Sequence, residues 1–429
     1  MIIFTYEGVP GGCPVLGVGF KNRYFIAWGY QLEGGASIMR DTWVAGNGIY
    51  QFMAPTKIIY GFESLKQLGN ELLNLGRKKY LIVADPHCIE SGLIKNVGES
   101  LRSLNIQYAQ FDGILHEPDA EQINECLKVY QAEKCEGIVC IGGGSTIDTG
   151  KGAGVLAMNK GSIEDYAGFM KVKNPLPPLV CVPTTYGSGS EVGPACVVKD
   201  KKRKFKYPVG SPFIIPKVAI LDPTLVNKLP PRIAASSGID ALTHAVEGLC
   251  SPAMHPYAEA RSLTAIELIG KNIRKASITE EIQPSMMMQI AGSMALQASS
   301  HTKLGPIHAM GHALGAVADV PHGIACGVFM THVLEFNLIG CPDKFRAIAR
   351  ALNVDSVELT DIQAGKRAIQ EISQIMADLD LPTSLRDVGC SEEIIPSLIE
   401  GTMMLKLFLE NNHRVVGEKE IVGLLKKTY

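Results

Sequence analysis

The sequence predicts an α/β domain with a mainly parallel sheet, followed by an all-α domain. Between residues 57 and 221, short β-rich runs alternate with helical stretches of about a dozen residues, the pattern of βαβ units. After Pro230-Pro231 the period-2 runs stop and long segments with apolar residues at 3.6-residue spacing take over. A length of 429 residues suits two domains of ordinary size.

Residues 1–50 hold Gly-Gly pairs, Pro10 and Pro14 but no sustained period, and are expected to form an extension outside both domains. The first strand is read at 57–60 and an amphipathic helix at 64–75. A buried strand follows at 79–84 and runs into Asp85-Pro86. Alternation continues with a strand at 106–111, a helix at 120–133 and a β-rich run at 137–141, after which Gly142-Gly143-Gly144 opens another helix. Residues 179–182 read as a strand, 195–207 as a hairpin and 218–221 as a last strand before Asp222-Pro223. Helices are then expected at 233–250, 257–272, 286–298, 311–318, 343–352, 365–379 and 392–409. The domains are accordingly placed at 51–228 and 229–429.

Composition narrows the function. Hydrophobic residues make up 46% and charged residues 20%, which excludes an intrinsically disordered chain. The 41 Lys+Arg nearly cancel 43 Asp+Glu, so no basic excess points to a nucleic acid. No apolar run approaches the roughly 18 residues that a membrane span needs, and no basic n-region precedes an apolar stretch at the start. The 11 cysteines are odd in number and include no C-x-x-C pair, which fits reduced thiols in a cytoplasmic protein better than a zinc ribbon or disulfide framework.

Four motifs could carry chemistry. In Cys140-Ile141-Gly142-Gly143-Gly144-Ser145, a β-rich run feeds three glycines and a helix N-terminus, which suits a diphosphate cradle. A P-loop is disfavoured, because the interval from Gly144 to Gly150-Lys151 is one residue too long and Gly152 stands where the Ser/Thr should be. The hydroxyl- and glycine-rich stretch from Pro183 through Thr184, Thr185 and Glu191 follows a strand end, where open α/β sheets bind ligands, although such loops often only connect. Asp85, at the end of another strand, could accept from a ribose or simply cap a turn. Finally, Asp240-x-x-x-His244 and His308-x-x-x-His312 each place two side chains one helical turn apart, and His322 stands in the turn-like Pro321-His322-Gly323. Imidazoles with a carboxylate suit Fe²⁺ or Zn²⁺. No H-E-x-x-H is present to support a metalloprotease.

Taken together, these residues resemble the iron-containing (group III) alcohol dehydrogenase family over residues 51–429. The glycine run with Ser145, Asp148 and Lys151 looks like the family's GGGSxxDxxK, and residues 183–192 look like its PTTxGTGSEV block. Gly238-Ile239-Asp240-Ala241-Leu242-Thr243-His244-Ala245-Val246-Glu247 is similar to the first metal signature. His308-Ala309-Met310-Gly311-His312 with Pro321-His322-Gly323 is similar to the second. The resemblance implies a dinucleotide-binding α/β domain and a helical metal-binding domain with the site between them. It implies Asp240, His244, His308 and His322 as metal ligands, with His312 a neighbour of the nicotinamide on a proton path. Asp85, Gly143, Gly144, Ser145, Thr184, Thr185 and Lys206 match cofactor-contacting positions.

The implied activity is hydride transfer between a nicotinamide cofactor, NAD in preference to NADP, and a small alcohol or aldehyde, with Fe²⁺ or alternatively Zn²⁺. A homodimer or higher homo-oligomer is expected, with no nucleic-acid or membrane partner. Two departures stand out: the family's Phe-x-Asn reads Ser299-Ser300-His301, and its Asn-Pro-Arg reads Asn412-His413-Arg414. Placed near the substrate entrance, they would make the pocket more polar, as in a polyol or hydroxyacid dehydrogenase of the same superfamily. A phosphotransferase using the glycine loop and a catalytically silent nucleotide-binding protein are the rivals from other classes.

Overall fold

Aliphatic and β-branched runs between residues 57 and 221 build the sheets. The strands are β1 (Lys57–Tyr60), β2 (Lys79–Ala84), β3 (Gln107–Phe111), β4 (Gly137–Gly142), β5 (Gly168–Phe169), β6 (Leu179–Pro183), β7 (Ala195–Asp200), β8 (Phe205–Gly210) and β9 (Val218–Leu221). The computed structural model describes residues 51–114, 117–354 and 358–429, so the extension expected at 1–50 lies outside the described residues.

Six strands form a wholly parallel sheet in the order β1-β9-β6-β4-β2-β3. Its central strands are buried on both faces, as helix-covered parallel strands must be. On one face Ile82, Val139, Ile141 and Val180 pack with Leu72, Ile94 and Val97. On the other, Leu81, Val83, Ile138 and Cys181 pack with Cys126, Ile147 and Ala153. Strand β2 lies between β3 and β4, so the chain order reverses there. That reversal opens a crevice at the carboxyl ends of β2 and β4, where such sheets bind ligands. A second sheet, β5-β8-β7, contains the expected hairpin, with Lys199 opposite Lys206.

The helices are α1 (Leu68–Asn74), α2 (Pro86–Glu90), α3 (Leu93–Ser103), α4 (Ala120–Ala132), α5 (Gly144–Met158), α6 (Pro231–Leu249), α7 (Pro256–Ile278), α8 (Ile282–Thr302), α9 (Pro306–Ala318), α10 (His322–Asn337), α11 (Pro342–Ala351), α12 (Asp361–Asp378), α13 (Ile395–Met404), α14 (Lys406–Glu410) and α15 (Glu418–Thr428). From α6 onward they share one apolar core that includes Ile239, Leu242, Phe329 and Phe345. No helix among the described residues is long and apolar enough to cross a membrane.

Three local expectations are corrected. The turn read at Pro321-His322-Gly323 is the start of α10, whose interior is buried from Gly323 to Met330 without interruption. A helix apolar all round shows no amphipathic stripe, which is why periodicity overlooks it. The helix expected at 392–409 is broken at Leu405 into α13 and α14. Residues 86–103 and 418–428 add α2, α3 and α15, none of which was expected.

Candidate active site

Three helices bring the candidate metal ligands together. On α6, Asp240, His244 and Glu247 recur at helical spacing on one buried stripe. Helix α9 contributes His308 in its first turn and His312 one turn later. Helix α10 begins at His322, and its next residue, Gly323, meets α6 so closely that an added Cβ would lie 2.1 Å from the Ser236 carbonyl oxygen. Only glycine permits that approach of the two helices.

The donor atoms converge on Asp240. Its Oδ1 lies 3.8 Å from His244 Nδ1, 3.9 Å from His308 Nε2 and 3.4 Å from His322 Nε2. With ligand bonds of about 2.1 Å, two donors in a tetrahedral shell stand about 3.4 Å apart, so the spacing fits one small cation. Asp240 Oδ1, His244 Nδ1, His308 Nε2 and His312 Nδ1 are all buried without a hydrogen-bond partner. Burial raises the Asp240 carboxyl, but His322, His244, His308 and Lys206 outweigh it and hold the pKa below the ordinary value. Burial depresses His308 to about 3 and His322 to about 4, so both imidazoles are neutral at pH 7.

Glu247 fixes which nitrogen of His308 carries the proton. Its Oε2 accepts from His308 Nδ1 at 2.6 Å and from the Gly305 N–H at 3.0 Å, while Oε1 accepts from the Ile307 N–H at 2.6 Å. One carboxylate therefore caps α9, which begins after a glycine that has no capping side chain. With the Nδ1 proton committed to Glu247, the Nε2 lone pair faces Asp240 Oδ1. A lone pair facing a carboxylate oxygen is repulsive unless a cation lies between them. The donor set thus fits a divalent ion. Cys326, one turn beyond His322, also belongs to this cluster: one donor atom each from Asp240, His308, His322 and Cys326 lies within 4.8 Å of the others.

His312 stands at the rim, its ring 4.9 Å from that of His322 and 5.9 Å from Phe408 on α14. Burial pushes its pKa well below the ordinary value, helped by the charges of His322 and Lys206. Lys206, on β8, is ion-paired with Glu117 and sits against α9, where a Cβ on Gly315 would lie 2.7 Å from its Nζ. Lys206 thus stands beside α9, on the histidine side of the crevice.

The opposite wall is the sheet's carboxyl edge. Gly143 precedes α5 without a side-chain cap, leaving the helix N-terminus open beside Gly144 and Ser145. Thr184 N donates to the Gly142 carbonyl at 3.1 Å, which joins the ends of β4 and β6. Thr185 adjoins Gly143, with its Cγ2 3.5 Å from a Cβ built there. Asp85 caps α2 through its Oδ1, which accepts from Cys88 N at 2.9 Å, and its Oδ2 accepts from the Thr184 hydroxyl at 3.4 Å. Both readings of Asp85, cap and crevice acid, fit its position.

Comparison with known proteins fits this geometry. A family model described as iron-containing alcohol dehydrogenase matches residues 55–223, and one described as Fe-containing alcohol dehydrogenase family, C-terminal, matches residues 234–429. The chain belongs to the iron-containing alcohol dehydrogenase family. It is 35% identical over 387 residues to a 1,3-propanediol dehydrogenase of Klebsiella pneumoniae, covering 89% of this chain and 99% of that one. It is 34% identical over 376 residues to an NAD-dependent methanol dehydrogenase of Bacillus methanolicus, covering 87% of this chain and 98% of the relative. A crystal structure of a 1,3-propanediol oxidoreductase superposes with a TM-score of 0.86 at 34% identity, covering 89% of this chain and all of the other.

Within this alcohol dehydrogenase fold, one residue of each motif departure is tied into the scaffold by hydrogen bonds. His301 Nδ1 donates to the Gln297 carbonyl at 2.8 Å, and its Nε2 accepts from Met53 N at 3.0 Å, with Phe52 stacked on the ring. Asn412 exchanges two amide hydrogen bonds, each of 2.8 Å, with Asn337 at the far end of α10. Asn337 is fifteen residues from His322, about 22 Å along the helix. His301 thus ties the end of α8 to the segment before β1, and Asn412 ties the tail to the end of α10. The aromatic group that does face His312 is Phe408. Glu247, Cys326 and Phe408 were not singled out from sequence, although the first two share a helical stripe with a candidate ligand.

Proposed function

We propose that this alcohol dehydrogenase binds a divalent cation, Fe²⁺ with Zn²⁺ as the competing ion, through Asp240, His244, His308 and His322. In this reading it reduces small aldehydes with NADH or oxidises the matching alcohols with NAD⁺. The placement of His308, with Nδ1 hydrogen-bonded to Glu247 and Nε2 turned to Asp240 Oδ1 without another partner, is the observation that carries this reading.

When bound, the ion supplies Lewis-acid polarisation of the substrate oxygen, and the nicotinamide supplies or accepts the hydride. The chain's own residues do the rest. Three neutral imidazoles and one carboxylate leave a formal charge of about +1 on a divalent site, which favours an anionic oxygen nearby. Gly143, Gly144 and Ser145 present the open N-terminus of α5 to a diphosphate, with Thr184 and Thr185 alongside. Asp85 disfavours a 2′-phosphate by charge repulsion. His312, neutral and without a partner at Nδ1, accepts the alcohol proton there. Phe408 covers His312 on the tail side and limits entry of water.

The test is absorbance at the nicotinamide band with a panel of alcohols and aldehydes, using metal-free protein and protein loaded with Fe²⁺ or Zn²⁺. Turnover should depend on the ion and favour NADH over NADPH. An ion-loaded protein that binds NADH and turns over none of the panel would overturn the assignment.

A further inference from the structure

Lys206 stands directly opposite Lys199 on the β7–β8 hairpin. Like charges placed across an antiparallel pair repel. Glu117, in the turn between β3 and α4, answers both: it is ion-paired with Lys206, and its Oε2 lies 4.0 Å from Lys199 Nζ. Lys199 also pairs with Asp319 at the end of α9. The surroundings of these charges differ. The Asp319 side chain is 83% exposed, so water and salt screen it, whereas the Lys206 side chain is 3% exposed. Lys206 also reaches towards the site. Gly315, against which its Nζ packs, follows His312 by three residues and His308 by seven, so all three lie on one face of α9. By helical rise, Gly315 stands about 4.5 Å beyond His312 and about 10 Å beyond His308 along the axis. Burial depresses the His312 pKa, and the charges of His322 and Lys206 add to it, so the ammonium is felt in the crevice.

We propose that Glu117 is a specificity-determining residue: by cancelling the charge of buried Lys206, it makes the crevice favour uncharged aldehydes over those that carry a carboxylate. The proposal rests on the reading of the crevice as an aldehyde and alcohol site, and adds the charge class of the substrate. A substrate bound beside His312 lies within about one Debye length of Lys206, roughly 10 Å at 0.1 M salt. With Glu117 ionised, this corner is close to neutral. Without it, the ammonium is left uncancelled where solvent screens it poorly, and an anionic end is drawn in. One unit charge felt across about 10 Å at an effective dielectric constant of about 20 changes binding on the order of tenfold. A purely structural Glu117, there to relieve the repulsion between Lys199 and Lys206, would change stability and leave this preference alone.

The experiment compares kcat/KM for succinic semialdehyde and butanal, an anionic and an uncharged aldehyde of equal carbon count, in the ion-loaded full chain. NADH is common to both assays, so its binding cancels in the ratio. Glu117→Gln should raise the anionic-to-uncharged ratio on the order of tenfold at about 0.1 M salt, and less at about 1 M, where the Debye length falls to about 3 Å. Glu117→Asp, which keeps the charge, should stay near wild type, and so should Asp319→Asn, which removes an exposed charge. Lys206→Met leaves Glu117 uncancelled and should move the ratio the other way, which tests the charge argument even where Glu117→Gln folds poorly. Calorimetric titration with butyrate and butyramide, which differ in charge and hardly in size, reads the same preference without turnover. An unchanged ratio and butyrate preference in Glu117→Gln, or an equal rise in Asp319→Asn, would overturn the role of Glu117. A wild type that turns over neither aldehyde, while the butyrate preference still shifts with Glu117, would overturn the aldehyde reading and keep the charge assignment.

Discussion

Replacing Glu247 with Gln keeps its shape and changes what its buried end can accept. The carboxylate takes three donors: His308 Nδ1 at 2.6 Å, Ile307 N at 2.6 Å and Gly305 N at 3.0 Å. An amide offers one oxygen and one NH₂. With the oxygen towards Gly305 and His308, the NH₂ meets the Ile307 N–H, leaving a buried donor unmatched at a cost of about 1–3 kcal/mol. With the amide reversed, its NH₂ meets Gly305 N–H and forces His308 to accept at Nδ1, which moves the imidazole proton to Nε2. That is the atom aimed at Asp240, and a protonated Nε2 cannot ligate. Orienting groups of this kind are worth about 10–100-fold in metal affinity, the loss expected for Glu247→Gln. Burial also raises the Glu247 pKa to about 7, against the hydrogen bonds from Gly305, Ile307 and His308 that lower it. Only its ionised form accepts all three donors, so wild-type metal affinity should fall as pH drops through about 7. In the Gln variant that component of the pH dependence should vanish. Chelator-competition titrations across this range, with the melting temperature of the metal-free proteins measured alongside, give both quantities. Wild-type affinity with an unchanged pH profile in the variant would refute the tautomer argument, whatever the melting temperature does.

His312→Gln should retain the ion but lower turnover and alter its pH profile, because the ring borders His322 without being placed as a ligand; metal loss equal to that of His308→Ala would reverse the assignment. Asp85→Gly should improve use of NADPH relative to NADH. An N-cap changed to Gly costs only a few tenths of a kcal/mol, about 0.3, so a shift in cofactor choice would not reflect unfolding; a wild type that already prefers NADPH would contradict it. Phe408→Ala should raise kcat/KM for bulkier alcohols relative to small ones by roughly tenfold, the scale of one or two methylenes in a pocket. An unchanged ratio would show that Phe408 does not bound the substrate space.

The sheet was readable because its strands carry strong local signals: apolar residues at 79–84, 137–142 and 218–221, each closed by Asp, Gly or Pro. Asp240 with His244 and His308 with His312 were readable for a related reason, since a four-residue interval puts two side chains on one face of a single helix. Helix α10 was not readable, because residues such as Ile324, Cys326, Val328 and Phe329 are buried on every side and leave no period. Hiding that helix also hid Cys326, whose spacing from His322 means little until both are known to be helical.

The 412–414 departure shows where local reading stops. Asn412 and Asn337 are 75 positions apart and satisfy one another's amides, while Ser251 donates to Asn411 Oδ1 at 2.9 Å and Asn411 donates to the Leu304 carbonyl at 3.0 Å. These bonds join the tail to the end of α6, the turn before α9 and the end of α10. Of these helices, α9 carries His308 four residues beyond Leu304, α6 carries His244 seven residues before Ser251, and α10 carries His322 at its opposite end. Asn411 and Asn412 therefore bear on the site through the relative setting of the helices they join. Phe408 stands four residues before Asn412 and faces His312, so bonds that anchor Asn411 and Asn412 also hold in place the aromatic ring predicted to set the steric limit.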